Sequence, residues 1–355
     1  MDKKRIFISG AVLAVLGLLI YLQVRTWRKF DWETFWSRTD HVKLSYVLLA
    51  VAAIYLQYVL RAVRWRLFLK PVCQTSTTQL LAPTFIGFSG LALLGRPGEM
   101  IRPYLIGRKV GLTLSSQIAV WLVERIFDMG SVAIMFVVLG FIGDPLWNEL
   151  HITTFHGGKS LQATVEWSAM LFLAGIVALV IGAIILRLSG AAVANYLHDK
   201  LKPHSTKFAH GVQSKLLAFT DGLKTIHDAS SFLQLLLVSF AMWSLVGVSY
   251  WLVTHSYGGR LAELGSASII LLLVASMFGS LIQLPGVGGG SQLACIAVLN
   301  NWFKVDNEIA VSCGMLIWVA TFMSVIPTGL ALARREHLSL RAIAEAEEKA
   351  AALAE

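Results

Sequence analysis

Long apolar runs constrain the fold of this chain more than any other feature. The sequence is 56% hydrophobic and only 14% charged, whereas soluble domains carry about 25% charged residues. A helix needs about 20 mainly apolar residues to cross the hydrocarbon core of a bilayer. Runs of this kind lie at residues 6–24, 44–62, 113–142, 165–188, 232–253 and 308–333. The sequence therefore predicts an all-α, polytopic helical membrane protein.

Two further apolar segments, at residues 80–94 and 266–302, are interrupted by helix-breaking residues. Pro97 and Gly98 follow the first segment. The second contains Pro285, Gly286, Gly288, Gly289 and Gly290, followed by Gln292. We expect both segments to be re-entrant or broken helices, because freed backbone groups are tolerated at membrane depth when they line a polar cavity. Close helix packing is the alternative explanation of the glycine run.

The order of these elements repeats along the chain. Residues of about 44–143 and of about 232–333 each contain a span, a broken segment and a further span. The tripeptide 118–120 (Ile-Ala-Val) matches 309–311. We expect an inverted repeat, which in transporters places the substrate site between the broken helices.

The remaining segments complete the predicted organisation. Residues 1–335 form one transmembrane domain, and 336–355 form a cytoplasmic helical tail. Residues 206–228 are polar with one apolar face, which predicts an amphipathic helix on the cytoplasmic side. That face lies either on the anionic inner leaflet or on the protein's own helices.

The net charge of +9 is better explained by the positively charged cytoplasmic loops of a membrane protein than by nucleic-acid binding. Lys and Arg concentrate in cytoplasmic loops, and their distribution here predicts that both termini are cytoplasmic. No nucleic-acid recognition motif accompanies the charge. The run at 6–24 is longer than the apolar core of a signal peptide, so we expect a retained first helix in the cytoplasmic membrane.

Charged side chains inside and beside apolar runs are expensive and mark candidate functional sites. Arginine suits phosphate, because its planar fork binds two oxygens at once. We predict that Arg96, Arg102 and Arg125 bind a lipid phosphate. We predict that Glu99, Glu124 and Asp128 orient these arginines or carry a proton. The alternative is a structural ion pair between Arg125 and Asp128 that pins two helices together.

Other residues carry weaker expectations. Arg61, Arg64, Trp65 and Arg66 end an apolar run and predict an anchor at the inner membrane edge. The glycine run lacks the Lys-Ser/Thr of a nucleotide loop. We found no nucleophile–base pair and no metal-ligand spacing, so we expect no cofactor, no metal and no catalysis. A membrane enzyme that uses Glu99 or Glu124 as a base is the least favoured alternative.

Two motifs resemble a known family. They are Gly95-Arg96-Pro97-Gly98-Glu99-x-x-Arg102 and Glu124-Arg125-x-x-Asp128, with Pro285–Gly290 as a weaker third. They resemble the flippase-like transmembrane domain of lysylphosphatidylglycerol synthetases over about residues 5–335. Two positions depart from the family: Gln292 stands where Glu is frequent, and Leu316 or Ile317 where Arg is frequent.

The resemblance implies lipid handling without synthetase activity, because no soluble synthetase domain follows. We therefore expect a translocase for an anionic phospholipid or a polyprenyl-phosphate-linked lipid, with membrane lipids as its partners. The alternative is a non-transporting accessory or scaffold protein of an envelope lipid or glycan pathway, which would bind the enzymes of that pathway.

Overall fold

The computed structural model describes residues 42–142, 161–202, 206–223, 229–281, 283–284 and 288–336, together with Glu33, Ser37 and Thr39. Within these residues almost every element is helical, which confirms the predicted all-α class. The predicted first span at 6–24 lies outside the described residues, as does nearly all of the predicted tail.

Within the described residues, the first half of the molecule contains four α-helices and a short 3₁₀ helix. They are α1 (Leu44–Leu69), α2 (Thr77–Leu94), the 3₁₀ helix (Arg96–Met100), α3 (Ile101–Val110) and α4 (Leu114–Ile142). Two connecting helices follow, α5 (Leu161–Leu201) and α6 (Thr206–Leu223).

The second half repeats this order. Its helices are α7 (Ala229–Ser256), α8 (Gly259–Ala262), α9 (Ser266–Gly279), α10 (Gly290–Ala297), α11 (Asn307–Trp318) and α12 (Ile326–Arg335). Two π-helical turns extend α10 and α11, at Val298–Trp302 and Val319–Met323. Between α9 and α10, β1 (Gln283–Leu284) pairs antiparallel with β2 (Gly288–Gly289).

Four helical segments of the described residues are long and apolar enough to cross a membrane. They are Leu44–Leu69, Thr77–Leu94, Ser230–Ser256 and Asn307–Arg335. The second of these begins at a capping box, in which the Ser76 hydroxyl accepts from the Gln79 amide. It is 18 residues long, so it extends the predicted apolar segment at its amino-terminal end. Its re-entry into the membrane stays a prediction.

Both predicted breaks produce helical hairpins held by glycine contacts. The chain turns back after α2, and a Cβ on Gly98 would collide with the Gly90 carbonyl. It turns back again after α9, where a Cβ on Gly290 would collide with the Gly279 carbonyl. Only residues without a side chain allow backbones this close. Close packing and helix breakage therefore occur together at these glycines. Pro285 and Gly286 lie outside the described residues.

The two halves pack through corresponding helices. The first helix of each half, α1 and α7, form an extensive contact, and α2 packs on α12 as α9 packs on α4. This is the pairing expected when two repeats face each other across a two-fold axis. The inverted sense of the repeat relative to a membrane stays a prediction.

Helix α6 packs on α4 and α5. Ala209 and Thr220 are buried there, and Thr220 lies against Gly190. Part of this helix therefore packs on the protein's own helices, while its position on the cytoplasmic side stays a prediction.

Candidate functional site

A cluster of ionised side chains lies at the centre of the first half. Helix α1 contributes Arg61 and Arg64, helix α3 contributes Arg102, and helix α4 contributes Glu124, Arg125 and Asp128. Five of the six residues are buried, and Arg125 is partly exposed. The cluster joins three helices whose side chains converge because α3 folds back along α2.

Glu124 is the hub of this cluster. Its Oε1 accepts hydrogen bonds from Arg64 Nη2 at 2.6 Å and from Arg102 Nη1 at 3.0 Å. Arg102 Nη2 donates to the other carboxylate oxygen, Oε2, which makes the pair bidentate. Arg125 Nη2 lies 3.4 Å from the same oxygen. A fully buried carboxylate is tolerated here because several guanidinium groups surround it.

Asp128 forms the second anionic centre. Its Oδ1 accepts from Arg64 Nη1 at 2.7 Å and from Trp243 Nε1 at 3.1 Å. Arg125 Nη2 lies 3.0 Å from Oδ2. Arg64 also donates to the Ser239 hydroxyl at 2.8 Å. Because Trp243 and Ser239 belong to α7, these contacts tie the cluster to the second half.

The cluster holds more positive than negative charge. Four arginines and two carboxylates leave a formal charge of +2, since 4 − 2 = 2. Arg61 is the least compensated of the four. Its Nη1 lies 3.7 Å from both Glu124 Oε1 and Asp128 Oδ2, and neither Nε nor Nη1 has a hydrogen-bond partner among the described residues. A buried guanidinium in this state is suited to a further anion.

Arg61 borders a cavity of about 120 Å³, which we call the central cavity. It lies where α1, α2, α7, α9 and the second π-helical turn meet. Its wall carries aromatic and hydroxyl side chains: Tyr58, Phe88, Trp243, Tyr250, Ser276 and Thr321. Thus the first half supplies the cation, and the second half supplies much of the polar, uncharged wall.

Arg125 borders a second, smaller space, which we call the hairpin groove. Its lining includes Phe88, Leu91, Glu99, Arg102 and Trp121. Glu99 is paired with Arg96 at 2.6 Å, so this pair adds no net charge. Arg96 Nη2 also donates to the Ser280 carbonyl at 2.7 Å, which connects the turn of the first hairpin to the end of α9.

The structure brings together four of the six predicted charged residues: Arg102, Glu124, Arg125 and Asp128. Arg96 and Glu99 form a separate pair beside the hairpin groove. Both terminal nitrogens of Arg102 are engaged by Glu124. The predicted roles in phosphate binding and proton transfer stay predictions. Among the described residues, no three His, Cys, Asp or Glu side chains gather as metal ligands would.

Two of the residues that were assigned to the membrane edge belong to this site instead. Arg61, Arg64 and Trp65 are 7%, 0% and 1% exposed, so the expectation of a surface anchor was wrong for all three. The signal was present in the sequence: Gln57, Arg61 and Arg64 recur at intervals of four and three residues. That spacing places them on one face of α1, and all three are buried. Arg66, off this face, is exposed.

The fold and the site together define a polytopic helical membrane protein with a cationic cluster buried between its helices. The family described as the lysylphosphatidylglycerol synthase TM region matches residues 6–329. The chain belongs to this family, and the resemblance seen in its motifs is confirmed. No curated protein matches the chain, and no solved structure does.

Proposed function

We propose that this protein moves an anionic lipid, a phospholipid or a polyprenyl-phosphate-linked lipid, across the cytoplasmic membrane. The headgroup phosphate binds in the central cavity at Arg61. Arg125 attracts it at the hairpin groove, where Glu99 and its partner Arg96 form a pair without net charge. Arg64, Arg102, Glu124 and Asp128 form the rigid frame that holds Arg61 and Arg125 in place.

The observation that carries this proposal is the unsatisfied guanidinium of Arg61 at the wall of a cavity between the two halves. Its Nη1 lies 3.7 Å from two carboxylates that it shares with other arginines, and a buried cation that is incompletely compensated is costly. A phosphate in the cavity places a further negative charge beside Arg61 and lowers that cost. The interaction is charge-assisted, and such bonds are roughly twice as strong as neutral ones.

The same charge argument selects among headgroups. The family description names lysylphosphatidylglycerol, whose lysyl group adds two ammonium groups to one phosphate. The excess positive charge of this cluster favours an anionic headgroup over that cationic one. We therefore expect phosphatidylglycerol to be a better substrate than its lysyl ester.

The test is lipid scrambling in proteoliposomes with fluorescent phosphatidylglycerol. Arg61→Gln removes the charge and leaves a shorter, polar side chain. A hydrogen bond to a charged group contributes about 1.5–3 kcal/mol, so the scrambling rate should fall roughly 10–100-fold. Arg66→Gln is the matched control, because Arg66 is exposed on the same helix.

Stability separates this role from a structural one. Arg61 has no hydrogen bond to lose through Nε or Nη1, so Arg61→Gln should fold with an unchanged or higher melting temperature. Phosphatidylglycerol should stabilise the wild type and not this variant, because only a ligand of the folded state raises its stability. Scrambling by Arg61→Gln at the wild-type rate would refute the proposal.

A second candidate is the non-transporting accessory or scaffold protein. The observation that favours it is the ionic network itself, because Arg64, Arg102, Glu124 and Asp128 tie α1, α3, α4 and α7 together. In that case wild-type proteoliposomes would move no lipid, and added phosphatidylglycerol would leave the melting temperature unchanged.

A further inference from the structure

The central cavity and the hairpin groove share one wall residue, Phe88. Among the described residues, Phe88 alone borders both spaces. Arg61 is on the cavity side, and Arg125 with Glu99 is on the groove side. A headgroup that moves directly from the groove into the cavity therefore passes the Phe88 ring.

Aromatic and cationic contacts hold the ring in this position. The Cζ atoms of Arg61 and Arg102 lie 4.7 Å and 4.9 Å from its centroid. The ring of Tyr58 lies 4.9 Å away, tilted by 46°. Cation–π attraction is electrostatic, so an arriving anion competes with the ring for the same guanidinium groups. Phosphate binding at Arg61 therefore weakens one of the contacts that hold the ring in place.

The backbone around Phe88 is anchored by close packing, whereas its phenyl ring is held by the cation–π and aromatic contacts described above. Gly87 packs against the Cβ of Arg102, and Gly90 packs against Gly98. These contacts fix one side of α2, and the phenyl ring is half-buried on the other. Rotation of the side chain can thus join the two spaces without separating the hairpin.

We propose that Phe88 is the gate between the hairpin groove and the central cavity. With the ring in its present position, the hairpin groove and the central cavity are separate spaces. When the ring rotates away, a phosphate headgroup passes from Arg125 to Arg61. This inference rests on the proposed transport function, and it adds the residue that controls entry to the binding cavity.

Cysteine accessibility tests the gate without requiring lipid transport. The native Cys73, Cys295 and Cys313 are replaced by alanine, and Ser276→Cys places one thiol in the wall of the central cavity. The rate of reaction with an anionic methanethiosulfonate reagent is then measured in proteoliposomes. Labelling through a gate follows the open fraction, so Phe88→Ala should raise the rate by about tenfold or more. Phe88→Trp should lower it.

Leu91→Ala is the matched control, because Leu91 borders the hairpin groove and not the central cavity. It shortens a side chain of similar volume without opening the partition. Phe88→Leu provides a second, milder opening should Phe88→Ala fail to fold. A labelling rate in the folded Phe88 variant no higher than in Leu91→Ala overturns the gate.

Scrambling of fluorescent phosphatidylglycerol by the same Phe88 variants separates the two proposals. Faster labelling together with faster scrambling supports both the gate and the transport function. If the Phe88 variants are labelled faster but the wild type moves no lipid, Phe88 is supported as the partition and transport is refuted. Faster scrambling without faster labelling refutes the partition and leaves transport standing.

Discussion

The two helical hairpins share one packing device but differ in chemistry. In each, two glycines bring the backbones into contact, Gly90 with Gly98 and Gly279 with Gly290. The first hairpin carries Arg96, Glu99 and Arg102. Residues 266–302, which contain the second, include no Asp, Glu, Lys or Arg. The backbone architecture is thus repeated, whereas the charged side chains are confined to the first of the two hairpins.

This difference indicates that the two halves contribute different chemical groups to the central cavity. The first half provides guanidinium groups and the carboxylates that hold them. The second half contributes hydroxyl and aromatic groups, as in the bond from Tyr250 to the Ser276 hydroxyl at 2.7 Å. In the proposed function, the cationic wall binds the anionic headgroup, and among the described residues the opposite wall carries no competing charge.

The largest effect should come from removing the carboxylate hub of the charged half. Glu124→Ala leaves several buried guanidinium groups without their partner, and breaking a buried pair in this way costs about 3–5 kcal/mol. We expect poor expression or a large loss of melting temperature in detergent.

Glu336→Gln is the control for Glu124→Ala, because it breaks the partly exposed pair with Lys109, and such pairs contribute about 0–1 kcal/mol. A wild-type melting temperature for Glu124→Ala would contradict the network described above.

Substitutions at the hairpin glycines should affect both halves alike. A Cβ at Gly98 or at Gly290 would collide with backbone atoms of the helix that faces it in the hairpin. Gly98→Ala and Gly290→Ala should therefore each lower the free energy of unfolding by about 1–3 kcal/mol. Thermal unfolding of the two variants measures this.

Gly130→Ala is the matched control, since nothing lies within 4 Å of its added Cβ. It should be neutral or slightly stabilising, because alanine is the better helix former. Loss of stability in only one of the hairpin variants would show that the packing device is not shared.

The smallest effect is expected at the uncharged counterpart of the first motif. The side chain of Gln292 is half-buried and makes no hydrogen bond to another described residue. Gln292→Ala should change the free energy of unfolding by less than about 0.5 kcal/mol and should leave scrambling unchanged. A tenfold fall in scrambling by Gln292→Ala would show that the second half also has a functional polar group, and would contradict the proposed functional difference between the halves.

The sequence predicted the helical class, the two breaks and the charged motifs, because each depends on local composition or spacing. Gly98 and Gly290 were recognisable as breaks since glycine permits close backbone approach. Arg61 and Arg64 were assigned wrongly, because their position at the end of an apolar run is typical of interfacial anchors. Only the fold shows that α4 brings Glu124 and Asp128 against that end of α1.

By itself, the sequence determined that the chain is a polytopic helical membrane protein of this family, with its charge concentrated in the first half. Hydropathy and motif spacing are local properties, so no tertiary contact was needed to read them. The tertiary structure decided which guanidinium groups are paired: Arg102 is engaged by Glu124, whereas Arg61 faces a cavity without a hydrogen bond through Nε or Nη1. Pairing depends on distances between helices that are far apart in the chain, and packing alone sets those distances.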